Sequence, residues 1–370
     1  MKAGYHFHGD ERKKMTKKQA LEAIVFLSIF IFILVHLTYV IRTNGDVKDI
    51  FNGFYSEEED TLDVIMIGSS PVYPFYSGPK LWGEYGITCY PLSSHVQRPS
   101  AALPLLKEAY KTQSPQVVVF EMRMYTMEDG RMEDNMAYAR GVTDNMKYSL
   151  NRIYAINRLV TEPKDRYTYY FDIFKYHSNW KTMILPEQIA CFWYEKANPL
   201  KGFAIRDEVG PLEKERIPVC TDLTDSLKIP AEQEERLYEL LDFLKEKDQQ
   251  ALFIVSPYRE EETEQKMFNY MKKIIQSYGY DFVNMNEHYE EIGIDFETDY
   301  YDYGGHVNIL GAEKCTAYLA KLLEPYQIKD KRGQEKYHSW DQAYQYYLET
   351  GHQAMDQVRE HIEKGEFAPR

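Results

Sequence analysis

The 370-residue chain holds only four cysteines, Cys89, Cys191, Cys220 and Cys315. They are scattered. No C-x-x-C pair occurs and no Cys/His group falls at metal-ligand spacing, so the sequence offers no metal framework, and neither a metal nor another cofactor is expected. Buried thiols are the expected state, and a disulfide stays open because spacing alone does not decide pairing. Positive charge is also short: 44 Lys and Arg stand against 58 Asp and Glu, a net charge of −14. Phosphate binding needs a basic patch, so this balance argues against nucleic acid as a partner. There is no internal repeat, and only one apolar run is long enough to cross a membrane.

That run is Ala20 to Ile41, ALEAIVFLSIFIFILVHLTYVI. Residues 20–41 are expected to form a transmembrane helix. It is longer than the apolar core of a signal peptide, and no small-x-small cleavage site follows before Arg42. Arg12, Lys13, Lys14, Lys17 and Lys18 precede it, and the acidic run Glu57 to Asp60 follows. The excess of basic residues before the span places segment 1–19 in the cytoplasm and everything after Arg42 outside, as a single-pass protein of the cell membrane. Residues 42–60 read as a linker.

From residue 61 to about 325 the chain alternates strands and helices. Val64 to Ile67, Ile87 to Leu92, Val117 to Met122, Ala251 to Val255 and Phe282 to Met285 read as strands, and VVVFEM is apolar enough for burial on both faces. Ser100 to Tyr110, Glu232 to Lys247, Glu260 to Tyr278 and Leu310 to Leu323 have helical spacing. The expected fold is therefore α/β, a three-layer α/β/α sandwich on a mostly parallel sheet. Residues 126–230 lose the rhythm and read as a mixed helical insertion. Residues 326–370 read as a polar helical tail. The 32 tyrosines suit a wet aromatic groove of the kind sugars favour, or reflect composition bias alone.

Ligands of open α/β sheets bind beyond the carboxyl ends of the strands. "DVIMIGSSPVY", Asp63 to Tyr73, ends its apolar run at such a place on Gly68, Ser69 and Ser70. A serine becomes a nucleophile when a histidine takes its proton and a third group orients that histidine. "DYYDYGGHVNILGAEK" supplies His306 in a glycine-rich loop before a helix, with Asp302 four residues upstream, Asp299 as a rival carboxylate, and Asn308 as the cap of the helix. His95 also follows a strand end. His177, in "YHSNW", has a neighbouring indole that suits stacking on a sugar ring, or forms a packed polar corner.

The two blocks together resemble the SGNH/GDSL hydrolase superfamily. In that pattern the nucleophile is the third residue of the first block, here Ser70, and the Asp and His share the last block, here Asp302 and His306. The anchor, "IGSS", "KYHSNW" and "YYDYGGHVNILGAEK" are similar to membrane-anchored envelope members of the superfamily, relatives of the D-alanine transfer protein and of alginate O-acetylation proteins. The resemblance implies an SGNH-like domain that works as an acyltransferase or esterase on a cell-envelope polysaccharide or teichoic acid, beside a membrane-bound O-acyltransferase. The chain departs from the pattern in three places. Asp302 precedes His306 by four residues rather than three. Ser93 stands where the second-block glycine should fall. Glu121, Arg123 and Tyr125 stand near the third-block asparagine. Both missing residues normally build the oxyanion hole, and Ser93, Gln97 or Arg123 are the expected substitutes. The alternative from another class is a non-catalytic, polymer-binding adaptor for the membrane acyltransferase.

Overall fold

The computed structural model describes residues 15–43, 45–130, 136–182, 185–213 and 223–369. Cys220 lies outside them. Cys89, Cys191 and Cys315 are free and buried.

Five strands form one parallel sheet: β1 (Val64–Gly68), β2 (Cys89–Ser93), β3 (Val117–Glu121), β4 (Gln250–Val255) and β5 (Asp281–Asn284), in the order β2-β1-β3-β4-β5. Each observed strand lies within one or two residues of the run that predicts it, because a strand buried on both faces must be apolar throughout. In β1 the alternation splits the side chains between two cores. Ile65 and Ile67 join Val118, Phe120 and Phe253 on one face, and Val64 and Met66 join Val119, Leu252 and Ile254 on the other.

Helices cover both faces. α1 (Lys17–Val40) and α2 (Asp46–Ser56) open the chain. They are followed by α3 (Gly78–Tyr85), α4 (Ala102–Ala109), α5 (Met136–Thr143), α6 (Leu150–Leu159), α7 (Ala231–Glu246), α8 (Glu262–Ser277), α9 (Ile309–Leu323) and α10 (His338–Lys364). Leu105 of α4, Leu241 of α7 and Met271 of α8 seal the first face, while Ala312 and Leu319 of α9 and Val358 of α10 seal the second. Burying such side chains is worth about 1.5–3 kcal/mol each before the cost of ordering them.

α1 is long and apolar enough to cross a membrane, with a mean hydropathy of 2.6 over its most apolar stretch. Thr16 and Gln19 close a capping box at its start. Its last residues, Thr38, Tyr39 and Val40, are buried against the rest of the chain. The segment that reads as a linker carries α2, whose Ile50, Phe51 and Phe54 are buried in the first core. The region that reads as an insertion contributes α5 and α6 to that same core through Val142, Ala155 and Ile156. The tail is one long helix, α10, pinned to α3 where the indole of Trp82 donates to Asp341 at 2.8 Å.

Candidate active site

β1 lies between β2 and β3 in the sheet, and its last residue has little room. A Cβ at Gly68 would lie 2.5 Å from Glu121 Cβ and 2.8 Å from Val72 Cγ2. Glycine therefore lets β1 and β3 close up just before the turn. In that turn the Val72 amide donates to the Ser69 carbonyl at 3.0 Å. Ser69 is buried and its Oγ accepts from the Gln97 amide at 3.2 Å. Ser69 is thus tied to the loop after β2, while Ser70 faces the opening above the strand ends.

The second half of the site is the loop from Tyr300 to Val307, two residues joined as an antiparallel bridge. Tyr303 and Gly304 both take the left-handed conformation, at φ 62° and 92°. This turn brings Asp302 back over the loop. Its Oδ1 accepts from the amides of Gly305, at 3.0 Å, and His306, at 2.5 Å. Its Oδ2 lies 2.6 Å from His306 Nδ1. The left-handed pair lets the chain turn back within the four-residue step from Asp302 to His306. A Cβ at Gly305 would lie 2.9 Å from Asp302 Oδ2, so a side chain there would press on the carboxylate that holds His306. Asn308 caps α9 by accepting from the amides of Leu310 and Gly311. Asp299, the rival carboxylate, is buried and paired with Lys314 Nζ at 2.6 Å.

The two halves meet. Ser70 Oγ lies 2.8 Å from His306 Nε2. A carboxylate only accepts, so Nδ1 carries the ring proton and donates to Asp302, which leaves Nε2 to accept from the Ser70 hydroxyl. Burial pushes the Asp302 carboxyl up. The bond from the His306 ring, its charge and the amides of His306 and Gly305 outweigh that and hold it below its usual value. The ring of His306 is held edge-on by Phe75 and face-on by Tyr301, with centroids 6.3 and 5.8 Å away.

The other expected site residues fall into separate roles. Arg123 stacks on Tyr258, 3.8 Å from the ring centroid, and Nη1 donates to the Gly305 carbonyl at 3.1 Å, so it braces the His306 loop. Gln97 is buried, with its side chain turned toward the Leu92 carbonyl and Ser94. Ser93 pairs with Gly68 across the sheet edge, and its buried Oγ has no hydrogen-bond partner among the described residues. The Ser70 amide likewise has no hydrogen-bond acceptor among the described residues. His177 is exposed and bonds the Phe174 carbonyl of its own turn. Its neighbour Asn179 donates to the Ile41 carbonyl at 3.1 Å, which puts "YHSNW" beside the end of α1.

Three further features surround the site. Tyr73 OH lies 2.8 Å from His95 Nδ1. Burial, Arg206 and His306 together lower the His95 pKa against the pull of Asp46. Arg206 pairs with Asp46 of α2 at 2.8 Å and faces the Tyr301 ring. Glu121, at the end of β3, is buried. Desolvation pushes its carboxyl up to about 7 against the charge of Arg123 and the amides of Ser256 and Arg123. Tyr73 and Tyr301 sit next to the motif residues and are recoverable from them. Arg206 and Asp46 are far apart in the chain and leave no local signal. No family model and no curated protein matches this chain.

Proposed function

We propose that the chain is a membrane-anchored, SGNH-like serine acyltransferase or esterase of the cell envelope. The observation that carries this reading is the relay from Ser70 Oγ to His306 Nε2, at 2.8 Å, and from His306 Nδ1 to Asp302, at 2.6 Å, at the carboxyl end of β1. Distances of this size suit general-base activation of a hydroxyl. Ser70 Oγ attacks an acyl carbonyl carbon while its proton passes to Nε2. The Ser70 amide donates to the developing oxyanion. The C–O bond to the leaving alcohol breaks as the imidazolium returns the proton to that alcohol, leaving the acyl group on Ser70. A second hydroxyl, from water or from a glycan or teichoic-acid acceptor, loses its proton to His306 and bonds the acyl carbon; the bond from that carbon to Ser70 Oγ then breaks as the imidazolium returns the proton to the serine, which completes hydrolysis or transfer. Asp302 holds the ring and stabilises its charged form.

With the domain tied to α1, the acyl acceptor is an envelope polymer and the neighbour is a membrane-bound O-acyltransferase. In cells carrying each variant at equal protein level, Ser70→Ala and His306→Ala are expected to abolish acylation of the polymer alike. Asp302→Asn is expected to lose about 10⁴ in turnover, against about 10⁶ for Ser70→Ala. A second reading, a non-catalytic polymer-binding adaptor, is favoured by Glu121. Where the resembled hydrolases carry oxyanion donors, this chain has a buried carboxyl. Normal polymer acylation with Ser70→Ala would decide for the adaptor.

A further inference from the structure

The end of α1 is enclosed by the region 126–230. Trp193 packs on Phe32 and His36, with centroids 6.0 and 5.2 Å away. Those residues lie eight and four positions inside the end of the helix at Val40, about 12 and 6 Å along its axis at 1.5 Å per residue. Trp193, Trp180, Phe174, Phe171 and Tyr167 are all exposed. If α1 crosses a bilayer, these rings fall at its headgroup level, where aromatic residues collect.

Behind the ring edge lies a cavity of about 670 Å³. Tyr167 and Phe174 stand at its edge, and Arg42, Arg140, Lys175 and Asp144 line it. Among the described residues, the buried charges behind it do not balance. Asp172 binds Arg42 and Arg152, and Asp144 binds Arg140 at 3.0 Å and approaches Arg152 at 3.7 Å. Three guanidiniums thus share two carboxylates, and Lys175 adds a further positive charge at the edge. Arg42 is buried, and its Nη1 has no hydrogen-bond partner among the described residues. In a chain of net charge −14, an excess of buried cations beside apolar rings is a local exception that calls for an anion.

We infer that this cavity binds the phosphate group of an anionic lipid, with Arg42, Arg140 and Lys175 around the phosphate and Tyr167 and Phe174 against the first methylenes of its chains. The alternative source of the same chemistry, free phosphate, has no use for the apolar edge. Gly141 lines the cavity too, and a Cβ there would lie 3.5 Å from Ser94 Cβ. The cavity therefore backs onto the loop that carries His95, beside the proposed catalytic serine. The inference rests on the membrane part of the reading above and not on its chemistry.

The test uses the full chain, purified in detergent, stripped of lipid and examined by native mass spectrometry. One dioleoylphosphatidylglycerol per chain is expected to be retained in preference to dioleoylphosphatidylcholine. Lys175 is exposed, so Lys175→Glu should leave the melting temperature unchanged while weakening retention roughly ten-fold or more. Phe174→Ser should weaken retention of the lipid while leaving the effect of inorganic phosphate on the melting temperature as in the parent. Ser70→Ala should bind lipid as the parent does, which separates this result from the fate of the catalytic reading. Equal retention of the two lipids, retention indifferent to Lys175→Glu, or inorganic phosphate as effective as the lipid would each overturn the inference. So would a chain that stays soluble without detergent.

Discussion

Replacing Glu121 by glutamine isolates one buried carboxyl without changing its shape. Glu121 Oε1 accepts from the amides of Ser256 and Arg123, both at 3.4 Å, and a glutamine carbonyl keeps both bonds. Oε2 is buried with no partner among the described residues, so glutamine imitates the neutral acid. Desolvation raises the carboxyl from 4.5 to about 7 in the folded protein. Between those values the folded state holds a proton that the unfolded state has released, so stability falls as pH rises. The penalty is absent well below the unfolded value, accumulates up to about pH 7 and is constant above it. Linkage puts the loss between about pH 5 and about pH 7 at about 2 kcal/mol for this group. Every other titration is common to parent and variant and cancels in their difference. The melting temperature of Glu121→Gln, in detergent, should therefore gain a few degrees on the parent as the pH is raised over that interval. Parallel curves for the two proteins would refute the reasoning, since they would mean that the carboxyl is already ionised at about pH 5.

Gly68→Ala should destabilise the fold by about 1–3 kcal/mol, because its methyl would overlap Glu121 and Val72. A denaturant midpoint equal to that of the parent would contradict this. Asp172→Ala strips a fully buried carboxylate from Arg42, Arg152 and Tyr148, and should cost about 3–5 kcal/mol, read as loss of folded protein or a lowered midpoint. A protease added to intact, wall-stripped cells should digest the part of the chain after Arg42. Digestion only after lysis would reverse the proposed orientation.

The sheet is legible in the sequence because the strands are built around short apolar runs, unbroken from Val64 to Ile67 and from Val117 to Phe120, and each covering helix shows one apolar stripe. Ser70, Asp302 and His306 are legible for a different reason: glycines on either side mark turns that bring chemical groups to strand ends. α2 is harder to see. Its Asp46, Lys48 and Asp49 suggest a solvated segment, yet Lys48 is buried and donates to the carbonyls of Tyr39 and Arg42. The docking of 126–230 on α1 is not visible at all. It depends on pairs such as Arg42 with Asp172, 130 residues apart, and a charge carries no mark of the partner it will meet. The same holds for Arg206 and Asp46 at the edge of the candidate site.

Ser70 and His306 are 236 residues apart in the chain. At ordinary rates of synthesis the serine emerges roughly 10 to 50 seconds before its histidine. β1 meanwhile has both its neighbours, since β2 and β3 flank it and precede β4. The β2-β1-β3 part of the sheet is thus free to assemble early around a hydroxyl that is still an ordinary alcohol. On the triad reading, activity belongs to the finished chain alone. Ribosome-bound forms, and forms clipped ahead of the Asp302 loop, carry the serine without its base and stay inert toward any acyl ester they meet.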